Sequence, residues 1–360
     1  MLDGSVKTPG LDPIFSGPSK DSAWLNARHG AWSRLLPAEV RAYSEPVPGI
    51  LAVGGGKGGV GKSIFSANLA ARLAQMGYKV LLADMDIGCS NLHTHFGINR
   101  PAITFADLFT NQLKTFEDIV IPTSTSNLGL VTGGRDDRWI KVFESNSDSF
   151  LVPFWQGVLS ARQKLGVDLV IFDLGAGLHE LTVDLFAAAH LGIVVTLPES
   201  TSIENAYVFL KEVLLRIVAN TGDEFVNSPD FVELISLLRQ VGGEAKGTYV
   251  DVLKSFSQVS PNLISEVVKG LRSRTLGLLV NQARSQYEMD LSLSMQQICS
   301  RFFGFQTQQL GFLGYDDSAW KSLRNRRLLL NDFPHGLFSG QITRIANESL
   351  AQLGYKDRSK

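Results

Sequence analysis

The chain has 360 residues, 44% of them apolar and 19% charged, which is enough to build a core and excludes a wholly disordered chain. A formal net charge of −1 excludes a surface made as a whole for gripping nucleic acid. Two cysteines, Cys89 and Cys299, exclude a disulfide scaffold and a four-cysteine metal site and point to a reducing cytoplasm.

From the start, residues 1–49 read as a separate arm. Met1-Leu2-Asp3-Gly4 lacks the charged start and apolar run of a signal peptide. Six of the 13 prolines lie in this arm, a density that forbids continuous helix or central strand. One island, Trp24, Leu25, Trp32, Leu35 and Leu36 beside Arg28, falls at helical spacing and predicts a short amphipathic helix.

From Ile50 the pattern alternates. Ile50–Val53 predicts a buried strand; Ile64, Leu69, Leu73 and Met76 then recur with helical period until Gly77. Further strands are expected at 79–83, 128–131, 168–172, 192–197, 276–280 and 310–313, with helical patterns between them. The longest apolar stretch, near Phe186 to Leu197, is interrupted by His190 and is too short to span a bilayer. Strands alternating with helices mean a parallel sheet covered on both faces, with ligands at the loops that follow the strands. The expected fold is therefore a three-layer α/β domain over 50–355 with a mostly parallel central sheet. Residues 220–272 are too long for an ordinary crossover. Phe231, Leu234, Ile235 and Leu238, then Leu263, Val267 and Leu271, predict a helical insertion there, bounded by Gly222 and Gly242-Gly243.

The strongest motif is Gly54-Gly55-Gly56-Lys57-Gly58-Gly59-Val60-Gly61-Lys62-Ser63, between the first strand and the first helix. Two nucleotide patterns overlap on it. Gly56, Gly58 and Gly61 satisfy G-x-G-x-x-G, with Asp84 downstream as a ribose-binding acid; Gly56, Gly61, Lys62 and Ser63 satisfy the longer P-loop pattern G-x-x-x-x-G-K-[ST]. A dinucleotide site has no use for Lys62 and Ser63 at the helix start, so the P-loop is preferred. Amides of Gly58, Gly59, Val60, Gly61, Lys62 and Ser63 would wrap the phosphates, with Ile64 following. Lys62 would neutralise the β- and γ-phosphates, and Ser63 would hold Mg²⁺ through its hydroxyl.

The P-loop pattern leaves the position of Lys57 free, yet Lys57-Gly58-Gly59-Val60-Gly61-Lys62-Ser63 resembles the deviant P-loop of the MinD/ParA family of dimeric ATPases. The resemblance implies that Lys57 reaches the partner subunit's nucleotide, as an arginine finger does. It also implies roles for the segments after the strands. In Asp84-Met85-Asp86-Ile87-Gly88-Cys89-Ser90-Asn91, which resembles the first switch, Asp86 matches the carboxylate that orients the attacking water, Asn91 its supporting amide, and Asp84 stands near the metal shell. Asp168–Asp173 is Walker B-like, with Asp173 toward Mg²⁺ and Gly175 and Gly177 sensing the γ-phosphate. Pro198-Glu199 resembles the interface loop, and Asn281 with Arg284 the base-binding segment.

Within the family, Asn91–Gly97 and Asp173–Gly177 look most like the MinD-like regulators of flagellar number and placement, although the arm lacks their D-Q-A-x-x-L-R helix. The resemblance thus implies an ATP-dependent, Mg²⁺-requiring homodimer. It would act as a spatial switch, with slow turnover stimulated by an unidentified activator or cargo. It would be cytoplasmic, or peripheral at the inner membrane or cell pole. The alternatives are a DNA- or cargo-partitioning ATPase of the ParA type and a nucleotide-bound scaffold without turnover.

Three weaker signals have bland readings. His93 and His95 lack a third metal ligand nearby in sequence; Lys321, Arg324, Arg326 and Arg327 read as a solvated face rather than a nucleic-acid contact; Phe338, Ile342, Ile345 and Leu350 read as core rather than a membrane anchor.

Overall fold

The computed structural model describes residues 47–86, 88–109, 115–134, 147–220, 225, 228–242, 247–356 and 358. The arm's tryptophan and leucine island, Ile87, Gly222 and Gly243 lie outside the described residues.

Eight strands form one sheet: β1 (Val47–Gly54), β2 (Val80–Met85), β3 (Ile121–Pro122), β4 (Leu128–Val131), β5 (Leu169–Leu174), β6 (Ala189–Thr196), β7 (Thr275–Ala283) and β8 (Gln306–Gly314). Their spatial order is β3-β4-β2-β5-β1-β6-β7-β8. Every pairing is parallel except β3 with β4. All seven expected strands are present. The addition is β3, a two-residue edge pairing too short to leave a periodic trace.

The apolar runs are continuous because both sheet faces are covered. Along β1, Ile50 and Ala52 face one apolar cluster while Leu51 and Val53 face the other. On the second face lie α1 (Lys62–Gln75) and, from the far end of the chain, α11 (Leu329–Asp332) and α12 (Leu337–Gln352). Phe338, Ile342, Ile345 and Leu350 of α12 are buried there, so the last helix spends its apolar stripe on the core. The first face holds α3 (Ser147–Leu165), α4 (Glu180–Ala188) and α5 (Ser200–Ala219). The short α2 (Phe105–Phe109) precedes them in the chain.

α5 is buried on almost every side. The cause is the segment that follows it: α6 (Pro229–Gln240), α7 (Tyr249–Phe256) and α8 (Pro261–Arg272), of which α6 and α8 pack on α5. α6 begins as its sequence dictates, with Pro229 in the first turn and the Ser228 hydroxyl accepting from the Phe231 amide. Its buried face is Phe231, Leu234, Ile235 and Leu238, each contributing about 1.5–3 kcal/mol by burial. Tyr249 of α7 stacks on Phe303 at the end of α9 (Gln286–Ile298) and its π-turn Cys299–Phe303. α10 (Asp317–Arg324) follows β8. A buried ion pair of Arg216 with Asp184 ties α5 to α4.

Candidate functional site

The loop from Gly54 to Lys62 follows β1, at the carboxyl end of the central strands, and close contacts leave no room for a side chain at Gly54, Gly55, Gly56 and Gly61. A Cβ on Gly56 would stand 2.0 Å from the Asn205 carbonyl oxygen, which no side chain tolerates. Gly61 caps α1 with φ +94°, a left-handed conformation, and packs against the Asn281 amide. α1 starts with no side-chain cap and no acidic residue in its first turn. Its amino-terminal N–H groups and dipole therefore face the loop, as an anion site requires.

Lys62 is buried, and its Nζ donates to the Lys57 carbonyl oxygen at 3.3 Å. Burial lowers its pKa, while the carboxylates of Asp173 and Asp86 oppose that shift. Asp84 and Asp173 are register partners on β2 and β5, and both are buried. Desolvation pushes Asp84 up to about 6 and Asp173 up to about 7, with each also raised by an acidic neighbour. Asp173 accepts from the Ser66 hydroxyl at 2.8 Å, and the nearby Ser63 hydroxyl lowers its pKa. Asp84 accepts from the Ser90 hydroxyl, from the Leu92 amide at 2.9 Å and from the Asp86 amide at 3.2 Å. It thereby pins the turn that carries Asp86. Asp86 itself is half-buried; burial raises its pKa and Lys62 lowers it. Its Oδ1 would lie 2.9 Å from a Cβ on Gly175, and the Gly177 amide donates to the Gly55 carbonyl at 3.4 Å. Asn91 is exposed and donates to the Cys89 carbonyl at 2.7 Å, closing the same turn.

Lys57 points across the loop to the start of α5. Its Nζ lies 3.0 Å from Glu199 Oε2 and 3.3 Å from Thr201 Oγ1. Pro198, beside Glu199, is half-buried. At the far end of the site, Asn281 donates to the Val60 carbonyl at 2.8 Å and accepts from the Gln282 amide at 2.9 Å. Gln282 takes φ +59°, and the Arg284 guanidinium stacks 3.9 Å over the Tyr315 ring. The structure thus gathers Lys62, Ser63, Asp84, Asp86 and Asp173 into one cluster beside the glycine loop, with Lys57 and Glu199 on one flank and Asn281 on the other.

Sequence reading misses Ser66 and Tyr315, and gives no individual role to Ser90 and Thr201, which lie in the segments resembling the first switch and the interface loop. Ser66 had a local signal, one helical turn after Lys62; the others depend on chain folding. His93 and His95 are buried on a short 3₁₀ turn, Leu92–Phe96, and burial holds His95 down to about 4. No group of three His, Cys, Asp or Glu fit for a metal ion occurs among the described residues. No described helix is long and apolar enough to cross a membrane.

The donor set fits a Mg²⁺–nucleotide: hard oxygen ligands at Ser63 and Asp173, crowded carboxylates that a divalent cation would relieve, and a loop with no room for side chains at Gly56 and Gly61. The raised carboxyl of Asp173 has a stability consequence. Between pH 4 and 7 the folded protein binds a proton there that the unfolded chain has lost, so stability falls as pH rises through that window. Asp173→Asn should therefore raise the melting temperature of the nucleotide- and metal-free protein at pH 8 by about 1–2 °C per kcal/mol relieved, and by less at pH 5. A lower melting temperature at pH 8 would contradict this electrostatic description.

The model of the CobQ/CobB/MinD/ParA nucleotide binding domain matches residues 51–329. The septum site-determining protein MinD of Synechocystis is 30% identical over 158 residues, which cover 44% of this chain and 56% of that protein. The chain spans about half the length of its MinD relatives. The flagellum site-determining protein YlxH of Helicobacter pylori is 26% identical over 305 residues, covering 84% of this chain and 82% of the relative. Among solved structures, the septum site-determining protein MinD of Pyrococcus horikoshii, in complex with Mg-ADP, superposes with a TM-score of 0.54 at 19% identity, covering 83% of this chain and 95% of that one. That likeness shows the fold.

Proposed function

This chain belongs to the CobQ/CobB/MinD/ParA nucleotide-binding family, and we propose that it is a Mg²⁺-dependent ATPase that dimerises around ATP and serves as a spatial switch, in the manner of the septum- and flagellum-site-determining proteins it is similar to. The observation that carries the reading is the convergence of Lys62, Asp86 and Asp173 beside a loop that also carries Lys57.

The chemistry follows from charge and reach. The α1 amino terminus and the amides of Gly58 to Ser63 bind the α- and β-phosphates. Asp173 and Asp86 oppose the desolvation that lowers the Lys62 pKa, favouring the ammonium that would meet the β- and γ-phosphates. When bound through Ser63 and Asp173, Mg²⁺ supplies positive charge to the phosphate oxygens. Asp86 is half-buried, and the Lys62 cation works against the desolvation that raises its pKa, favouring the carboxylate that can accept a hydrogen bond from water and orient it for attack. Asp84, committed to three donors, positions Asp86 by fixing its turn. Gly177, hydrogen-bonded to Gly55, couples the loop after β5 to the phosphate loop, so loss of the γ-phosphate reaches both. Asn281 steadies the P-loop through Val60 with one Nδ2 hydrogen and keeps a second Nδ2 hydrogen to donate to an adenine nitrogen.

Lys57 is the trans group in this reading. In the single chain it rests on Glu199 and Thr201, in an ion pair with both side chains partly exposed. Such a pair is worth about 0–1 kcal/mol, so the lysine can be given up to a neighbouring subunit's γ-phosphate at little cost. Each dimer releases two such pairs, so Glu199→Gln should tighten ATP-dependent dimerisation by up to about thirtyfold, read from the concentration dependence of light scattering. A weaker dimer would mean that Glu199 acts across the interface instead. The primary test is phosphate release from Mg-ATP by the purified full chain; binding without release would favour a scaffold.

A further inference from the structure

The surface of α10 carries a feature that the nucleotide chemistry leaves unused. Among the described residues eleven large apolar side chains are exposed, and five of them, Tyr315, Trp320, Leu323, Phe333 and Leu337, fall between 315 and 337. Trp320 is 71% exposed. α10 buries only Ser322, so Trp320, Leu323 and Arg324, at i, i+3 and i+4, share its outer face, with Lys321 one turn before Arg324.

The other charged side chains of this segment have hydrogen-bond partners, of which only the Arg327–Asp332 pair joins opposite charges. Asp316 accepts from the Ser318 amide, Asp317 from the Tyr315 hydroxyl, and Asp332 from Ser322 and Arg327. Arg326 donates to Asn99. Lys321 and Arg324 are exposed and have no side-chain hydrogen bond or ion pair among the described residues. Residues 315–337 carry four cations, Lys321, Arg324, Arg326 and Arg327, against three carboxylates, Asp316, Asp317 and Asp332, which leaves an excess of one positive charge, and two cations without a side-chain partner, beside an unburied tryptophan.

Magnitudes decide what covers them. A lipid surface returns about 1 kcal/mol per basic residue near it, so two free cations make a feeble anchor. Nucleic-acid binders typically neutralise about 6–10 phosphates, and leucines add nothing to that. A protein interface is the better fit, because tryptophan and arginine are the side chains that most often carry its energy. The uncompensated sign is positive, so the complementary segment is acidic.

We propose that the Trp320–Arg324 face of α10 docks a partner protein through an acidic amphipathic segment, which lays an apolar side chain over Trp320 and Leu323 and sets carboxylates on Lys321 and Arg324. The face is joined to the switch: Arg326, just past α10, holds Asn99, and its carbonyl lies 3.6 Å from the Cβ position of Gly97 at the end of the Leu92–Phe96 turn. Tyr315, just before α10, stacks under Arg284. Docking here touches segments on both sides of the nucleotide site. The docking itself stands apart from the ATPase reading, since it is measured without nucleotide.

The test is selection of random dodecapeptides displayed on phage against the full-length, nucleotide-free protein. The expected result is enrichment of peptides combining Asp or Glu with Trp, Leu or Phe. Their synthetic forms should bind Trp320→Ala about thirtyfold more weakly, equivalent to ~2 kcal/mol. The Lys321→Glu/Arg324→Glu double variant should prefer versions with lysine in place of the acids. Unchanged thermal melting of both variants is expected, because these side chains are exposed. Peptides without acids, equal binding to wild type and variants, or Trp320-dependent binding to phosphatidylglycerol vesicles or duplex DNA in place of peptides would each overturn the proposal.

Discussion

Lys57→Ala should lower Mg-ATP hydrolysis by about 10³-fold or more while changing nucleotide affinity of the single chain by only a few-fold. The size follows from the work asked of the residue, since a cation delivered in trans to the developing charge on a transferring phosphoryl group is worth about 10³–10⁵ in rate. The small affinity change follows from geometry: in the single chain the Lys57 amine points to Glu199 and Thr201, away from the cluster around Lys62. Phosphate release under saturating ATP, with binding of a fluorescent nucleotide in parallel, checks both halves. Loss of binding as severe as the loss of turnover would mean that the lysine works in its own site. Lys57→Arg should restore little, because a guanidinium is planar and longer than the ammonium it replaces.

Asp86→Ala should remove turnover by about 10²–10⁴-fold and leave ATP binding intact, so that the ATP-bound dimer accumulates and persists. Asp86 has no hydrogen-bonding duty in the core: its side chain is half-buried, and the turn around it is held by Asp84 through Ser90 and the Leu92 amide. Removing it therefore spares the fold, whereas Asp84→Ala should unfold the turn and cost stability as well as activity. Size-exclusion chromatography with ATP distinguishes them. The Asp86 variant should elute as a long-lived dimer; an Asp86→Ala protein that remains monomeric with bound ATP would break the link between hydrolysis and release.

The fold was legible in the sequence where burial is two-sided. Strands such as Ile50–Val53 and Leu128–Val131 are uninterrupted apolar runs, because both faces of the sheet are packed. α6 and α8 were legible from period alone, each burying the residues its spacing picks out. β3 was not, since two residues have no period, and α7 is only eight residues long. In the site, Lys62 and Ser63 could be picked out because the phosphate-loop pattern fixes them by spacing, and Asp173 because its strand resembles a Walker B segment. The surroundings could not. Lys57 meets a glutamate 142 positions away, and Asp84, expected near a metal, is turned to three donors on its own switch segment. Local pattern specifies which residues a phosphate needs; tertiary contact decides what each touches before the phosphate arrives.

The account rests on Lys57 acting on the other subunit's nucleotide, and mixing the two inactive variants tests that most directly. In a mixed dimer of Lys57→Ala with Asp86→Ala, the first chain keeps its own Asp86 and receives Lys57 from its neighbour, so one complete site exists. Phosphate release should therefore reappear on mixing and rise with the fraction of mixed dimers. A mixture as inactive as its separate components, although mixed dimers form, would contradict the account.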